Sequence, residues 1–158
     1  MKLWIIYKER LGFSKVIAEL LQDRLEDYID VSVGNAEKVD PIFLVEEKID
    51  YLIIGDNTSE TNLSLEIQNW LLKFGEISVK SNLIIKAISI FYITSANILV
   101  EPSRLEYYQD ILNAETIYPP MLRLKFNTVG LVLEDGAFEN VKKYSTDFIE
   151  FLINKKRL

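Results

Sequence analysis

An apolar run that passes through a short connection straight into an amphipathic helix restricts this chain more than any other feature. Leu3-Trp4-Ile5-Ile6-Tyr7 reads as a strand and Lys8-Glu9-Arg10-Leu11-Gly12-Phe13-Ser14 as the connection. Phe13, Val16, Ile17, Leu20, Leu21 and Leu25 then recur at helical spacing. A helix with one apolar stripe has to lay it on a sheet, so the connection is pinned at both ends. Its first turn would present unpaired N–H groups and a partial positive charge just beyond a strand's carboxyl end. That is a physical site for an anion such as a phosphate.

The alternation continues to the end of the chain. Ile29 to Val33 alternates in strand fashion and stops at Gly34-Asn35, and Asp40-Pro41 reads as a cap plus a first-position proline opening a short helix through about Lys48. Tyr51-Leu52-Ile53-Ile54-Gly55 is apolar without interruption, as suits a parallel strand covered on both faces, and predicts the sheet's centre. The loop from Asp56 to Asn62 leads to a helix with Leu63, Ile67, Trp70, Leu71 and Phe74 on one side, ending near Gly75. A strand over Ala87 to Ile93 follows. Ser103 and Glu106 then have capping-box spacing, ahead of a helix facing inward through Leu105, Tyr108, Ile111 and Leu112.

Tyr118-Pro119-Pro120 interrupts any strand there, which predicts an irregular lead-in. Strand character follows in Met121 to Phe126 and in Val129 to Leu133, one of them at an edge. Asp135-Gly136 opens a last helix facing inward through Val141, Tyr144, Phe148, Phe151 and Leu152. The expected fold class is α/β: a doubly wound three-layer sandwich in which a five-stranded parallel sheet carries helices on both faces. A single domain over residues 1–158 accommodates it, and ligands would collect beyond the strands' carboxyl ends, where strand order reverses.

The chain has no cysteine and no histidine, which removes thiol nucleophiles, disulfides, cysteine or histidine metal sites and histidine-dependent triads. Carboxylates, hydroxyls, Lys, Tyr or a cofactor must carry any chemistry. No spaced acidic cluster falls at consecutive strand ends, so no metal site is expected. A net charge of −6 disfavours nucleic acid and anionic membrane as partners. The one basic cluster, Lys155-Lys156-Arg157, suits the carbonyl end of the last helix. No signal-type start and no run of membrane-spanning length is present, so a soluble, cytoplasmic protein is expected.

The layout resembles flavodoxin and related flavodoxin-like FMN-binding domains over essentially the whole chain. The family's first loop is rich in hydroxyl residues around a glycine. Here Gly12 and Ser14 match the glycine and the final hydroxyl, while Lys8, Glu9 and Leu11 replace usual hydroxyl positions. After the third strand the family often has Ser-Pro-Thr and a ring that stacks on the flavin. This chain has Asp56-Asn57-Thr58-Ser59, in which Thr58 matches and the ring is absent. After the fourth strand, Tyr92-Ile93-Thr94-Ser95-Ala96-Asn97 lacks the family's glycines.

The resemblance implies strand order 2-1-3-4-5 and a role in electron transfer or a reductase reaction, with FMN held weakly or lost. It also implies cofactor contacts from three loops. These are Lys8, Arg10, Leu11, Gly12, Phe13 and Ser14 in the first, Asn57, Thr58 and Ser59 in the second, and Tyr92, Thr94, Ser95 and Asn97 in the third. Tyr92 reads equally as a ring partner or as a core tyrosine. Two missing hydrogen bonds to a charged phosphate, at about 1.5–3 kcal/mol each, weaken binding by roughly 10²–10⁴-fold.

Other doubly wound readings fare worse. A dinucleotide fold needs several glycines in the first turn, and a Walker-type nucleotide site needs a glycine-lysine-hydroxyl sequence that is missing. A receiver domain would use Asp56 but needs an acidic pair where only Glu9 is acidic. The acidic surface suits a basic redox partner protein. The alternative is a flavin-free interaction module, with Ile98-Leu99-Val100 as its contact patch.

Overall fold

The strand-like stretches become five parallel strands of one sheet, apolar throughout at its centre and alternating toward its edges, and the segments between them become helices on its two faces. The computed structural model describes residues 1–95 and 97–157. In chain order the elements are β1 Lys2–Tyr7, α1 Phe13–Leu25, β2 Asp30–Asn35, α2 Pro41–Glu46, β3 Tyr51–Asn57, α3 Leu65–Lys80, β4 Ala87–Thr94, α4 Pro102–Ile111, β5 Leu122–Asn127, β6 Val132–Leu133 and α5 Ala137–Lys156. The sheet order is β2-β1-β3-β4-β5-β6, which contains the expected 2-1-3-4-5. The expected five strands are joined by a sixth: β6 pairs antiparallel with β5 through Phe126↔Leu133 and Asn127↔Val132. Residues 128–131 form the turn between them, with positive φ at Gly130 and Leu131.

Strand periodicity sorts the core into two layers. Leu3, Ile5 and Tyr7 of β1 and Tyr51 and Ile53 of β3 pack with Ile17 and Leu21 of α1 and Val141, Phe148 and Leu152 of α5. Their neighbours Ile6, Leu52 and Ile54 pack with Leu44 of α2, Ile67 and Phe74 of α3 and Leu105 of α4. β3 and β4 are buried along their whole lengths, which is why β3 carries no alternation in its sequence. The Tyr118-Pro119-Pro120 interruption is real. Upstream of it only isolated bridges form, Ile88↔Ile117 to β4 and Ile85↔Ala114 just ahead of β4, and continuous pairing starts at Phe91↔Leu122.

Three local expectations are corrected. Gly75 lies inside α3 and does not end it: a Cβ there would sit 2.6 Å from the Ile111 carbonyl oxygen, so this glycine serves the close approach of α3 to α4. Ser103 is not a cap, because Glu101 holds that position and Pro102 begins the helix. Val16 is half exposed, outside the buried stripe of α1. Asp40, by contrast, caps α2 as expected, its carboxylate accepting the Ile42 N–H at 3.1 Å ahead of Pro41.

Candidate functional site: the loops beyond β1, β3 and β4

The parallel register brings the ends of β1, β3 and β4 to one edge, through Tyr7↔Gly55 and Gly55↔Phe91. Backbone bonds then tie the outgoing loops together. The Lys8 N–H donates to the Gly55 carbonyl at 2.9 Å, Thr58 N–H to Ile93 at 3.1 Å, and Glu101 N–H to Thr61 at 3.0 Å. The Asn57 side-chain amide donates to the Arg10 carbonyl at 3.4 Å. Gly55 has no room for a side chain, since a Cβ would fall 2.2 Å from the Phe91 ring.

The first loop reaches α1 through two left-handed residues, Leu11 at φ 60° and Gly12 at φ 81°. Nothing lies within 4 Å of where a Gly12 Cβ would be, so it is backbone conformation that calls for glycine there. Gly12 offers no side chain to cap the helix, and the first intrahelical bond runs from Val16 N–H to the Gly12 carbonyl. The N–H groups of Phe13, Ser14 and Lys15 therefore lack intrahelical acceptors. The Ser14 side chain is fully buried in this first turn, and its Oγ has no hydrogen-bond partner. An orphaned hydroxyl under an uncapped helix start fits a phosphoryl oxygen by its chemistry.

Of the other first-loop positions, Arg10 and Leu11 are exposed. Lys8 is committed elsewhere, because its Nζ pairs with Glu66 of α3 at 3.0 Å. Phe13 rests its ring 5.1 Å from that of Phe126 and, partly buried, packs against the core. Thr58 is buried and spends its hydroxyl on its own loop, donating to the Asn62 carbonyl at 2.9 Å and accepting the Glu60 N–H at 3.2 Å. Ser59 and Ser95 are exposed, and Thr94 is buried. Asn97, also exposed, holds Lys125 Nζ through its Oδ1 at 2.6 Å. Tyr92 is 3% exposed, in the layer under α3 and α4, and its hydroxyl accepts the Val100 N–H at 3.2 Å. The core reading of Tyr92 is the correct one. Unpartnered polar groups thus gather at the start of α1, whereas the Tyr92 ring is buried in the layer under α3 and α4.

Sequence reasoning missed what shapes the second loop. Asp56 is fully buried, and its carboxylate accepts Asn57 N–H at 2.9 Å, Ser64 Oγ–H at 2.8 Å and Ser64 N–H at 2.6 Å. Burial pushes its carboxyl above the usual range against these bonds, which pull the other way. The available signal was a charged residue closing an otherwise apolar strand. The contact patch proposed at Ile98-Leu99-Val100 divides: Leu99 is exposed and Val100 buried. Among the described residues no cluster of three metal-ligating side chains occurs, and no helix is long and apolar enough to cross a membrane.

No protein-family model and no curated protein sequence matches the chain. Solved structures do. A flavodoxin from the domain Archaea superposes with a TM-score of 0.70 at 19% identity, over 96% of this chain and 99% of that one. Oxidised Flavodoxin 2 from Bacillus cereus gives 0.69 at 20% identity, over 98% and 99%. The rubredoxin oxygen:oxidoreductase of the anaerobe Desulfovibrio gigas gives 0.75 at 14% identity. It is matched over 99% of this chain, which spans 37% of that longer protein. At such identities the likeness is one of architecture, and strand order, layers and full-length coverage agree on it: the chain has the flavodoxin-like fold.

Proposed function

We propose that this chain binds FMN by its phosphate at the start of α1 and works as a flavodoxin-like electron carrier or reductase component. The observation that carries the reading is Ser14, whose hydroxyl is fully buried and unpartnered in a helix turn that has no cap. The amides of Phe13, Ser14 and Lys15 and the Ser14 hydroxyl would hold the phosphate. Arg10, exposed in the same loop, adds positive charge. A bound flavin supplies the redox chemistry, and the chain's residues supply binding and orientation. With the Lys8 charge spent on Glu66 and the Thr58 hydroxyl on its own loop, the affinity is lower than a full set of contacts would give. The net charge of −6 favours a basic protein as electron donor or acceptor.

The test is direct. Titrating the apoprotein into FMN should quench flavin fluorescence, and Ser14→Ala should weaken binding by roughly 10–100-fold, the worth of one hydrogen bond to a charged group. Wild-type affinity in that variant would remove Ser14 from the site. A flavin-free interaction module is the second reading, favoured by Tyr92, which is turned into the core and bonded to Val100. Absence of any FMN binding at submillimolar ligand would leave that reading standing.

A further inference from the structure

α3 turns one side into the core through Ile67, Trp70, Leu71 and Phe74, yet its opposite side is not uniformly polar. Leu65, Leu72 and Val79 are large apolar side chains on that helix and are 67%, 47% and 53% exposed. They stand seven residues apart, and a heptad drifts by only about 20° on a straight helix, so the three lie in one line along its outer face. That line is about 21 Å long at a rise of about 1.5 Å per residue. α2 and α4 pack against α3 from its flanks, and neither covers the line. Single exposed apolar residues are ordinary on a surface. Three at heptad spacing on the face a helix turns to water have the form of a seam by which helices pair.

The occupant is set by the order of residues along the seam. Run antiparallel to itself about a two-fold axis at Leu72, it sets Leu72 on Leu72 and Leu65 on Val79, apolar against apolar at each position. The flanking polar groups obey the same axis. Glu66 falls opposite Lys80 of the second copy, twice in each pair of chains, and Glu76 falls opposite the Gln68 amide. Both charges are within reach of a partner, since Glu66 is 54% and Lys80 73% exposed in their present ion pairs with Lys8 and Glu76. Lys73, which falls opposite its own copy, is paired with Asp40 of α2 at 3.4 Å. The antiparallel sense also opposes the two helix dipoles, whereas a parallel pair would align them side by side.

We propose that the outer face of α3 is the docking surface for a second copy of this chain, packed antiparallel across a two-fold axis at Leu72. The contact requires no flavin and goes beyond the function proposed above.

Sedimentation of the full chain at about 100 µM should show a dimer, since an association with a Kd in the micromolar range is largely formed there. Leu72→Glu puts two carboxylates on the axis and should weaken the dimer roughly 100-fold or more. Glu66→Lys or Lys80→Glu alone should weaken it by about two- to thirtyfold, because each breaks two ion pairs, and the two changes combined should restore it. The chain has no cysteine, so introduced thiols read the geometry directly. Mild oxidation should cross-link Leu72→Cys to itself, and Leu65→Cys chains to Val79→Cys chains, while linking neither of the latter two to its own kind. The replaced side chains are all exposed, and thermal melts check that each variant folds. A wild type that stays monomeric, a dimer untouched by Leu72→Glu, a combined charge swap no better than its single changes, or Leu65→Cys linking to itself overturns the proposal.

Discussion

Gly55→Ala should destabilise the protein through one identifiable ring. A Cβ at this position would meet three atoms of the Phe91 ring at 2.2, 2.6 and 2.8 Å, where ordinary contact begins near 3.4 Å. The ring must retreat by roughly 1 Å, and it is fully buried with packed strands and helices around it. Overpacking of this kind costs about 1–3 kcal/mol, offset by about 0.5–1 kcal/mol because alanine loses less backbone freedom than glycine in a strand. A net loss of about 1–2 kcal/mol follows, or a fall in Tm of about 2–8 °C for a chain of this size.

Urea unfolding of Gly55→Ala, Phe91→Leu and the double variant isolates the cause. Phe91→Leu alone leaves a small cavity at a cost of about 1–2 kcal/mol, and in the double variant the new methyl occupies part of that space. The double variant should therefore be more stable than the two single losses added together, by about 1–2 kcal/mol of coupling. Additive losses would refute the steric account. Because the Gly55 carbonyl anchors the Lys8 amide, the same series also reads whether strain at the end of β3 reaches the phosphate loop.

Ser14→Ala should stabilise the ligand-free protein by about 1 kcal/mol in a denaturant melt while weakening FMN, since it removes a buried hydroxyl that has no partner until ligand arrives. Tyr144→Phe should cost about 1–1.5 kcal/mol: the Tyr144 hydroxyl donates to Ser89 Oγ at 2.6 Å, and the bond from Ser89 to the Pro119 carbonyl remains. Asp56, whose carboxyl is raised in the fold, binds its proton more tightly folded than unfolded. As pH rises from its unfolded value of 3.8 through the raised folded value, the wild type should lose stability relative to Asp56→Asn, and parallel melts across that range should show the gap narrowing. If a basic protein is the electron partner, the encounter rate by stopped flow should fall steeply with added salt, and a flat salt profile would remove surface charge from the account.

The layered fold was legible because it rests on local physics. An uninterrupted apolar run such as Tyr51 to Ile54 has no stable place except between two covered faces, and the helical spacing of Ile17, Leu21 and Leu25 leaves one face to bury. Two of the differences involve a partner distant in sequence. Gly75 resembles a helix stop until α4 is seen to press Ile111 against it, and Lys8 resembles a phosphate ligand until Glu66 of α3 takes its charge. Thr58 and Tyr92 are the right types in the right loops, yet the Asn62 carbonyl and the Val100 amide claim their hydroxyls.

Residue order alone therefore determined the class of fold, the direction of the strands and the edge at which the loops after β1, β3 and β4 meet, since hydrophobic periodicity and chain direction act within one element at a time. Only the tertiary structure decided which polar groups at that edge remain unsatisfied. Ser14 and Glu9 are left without partners while Asp56, Thr58, Lys8 and Tyr92 are paired. A hydrogen bond is won by whichever group folding brings within 3 Å or so, and spacing along the chain does not record that outcome.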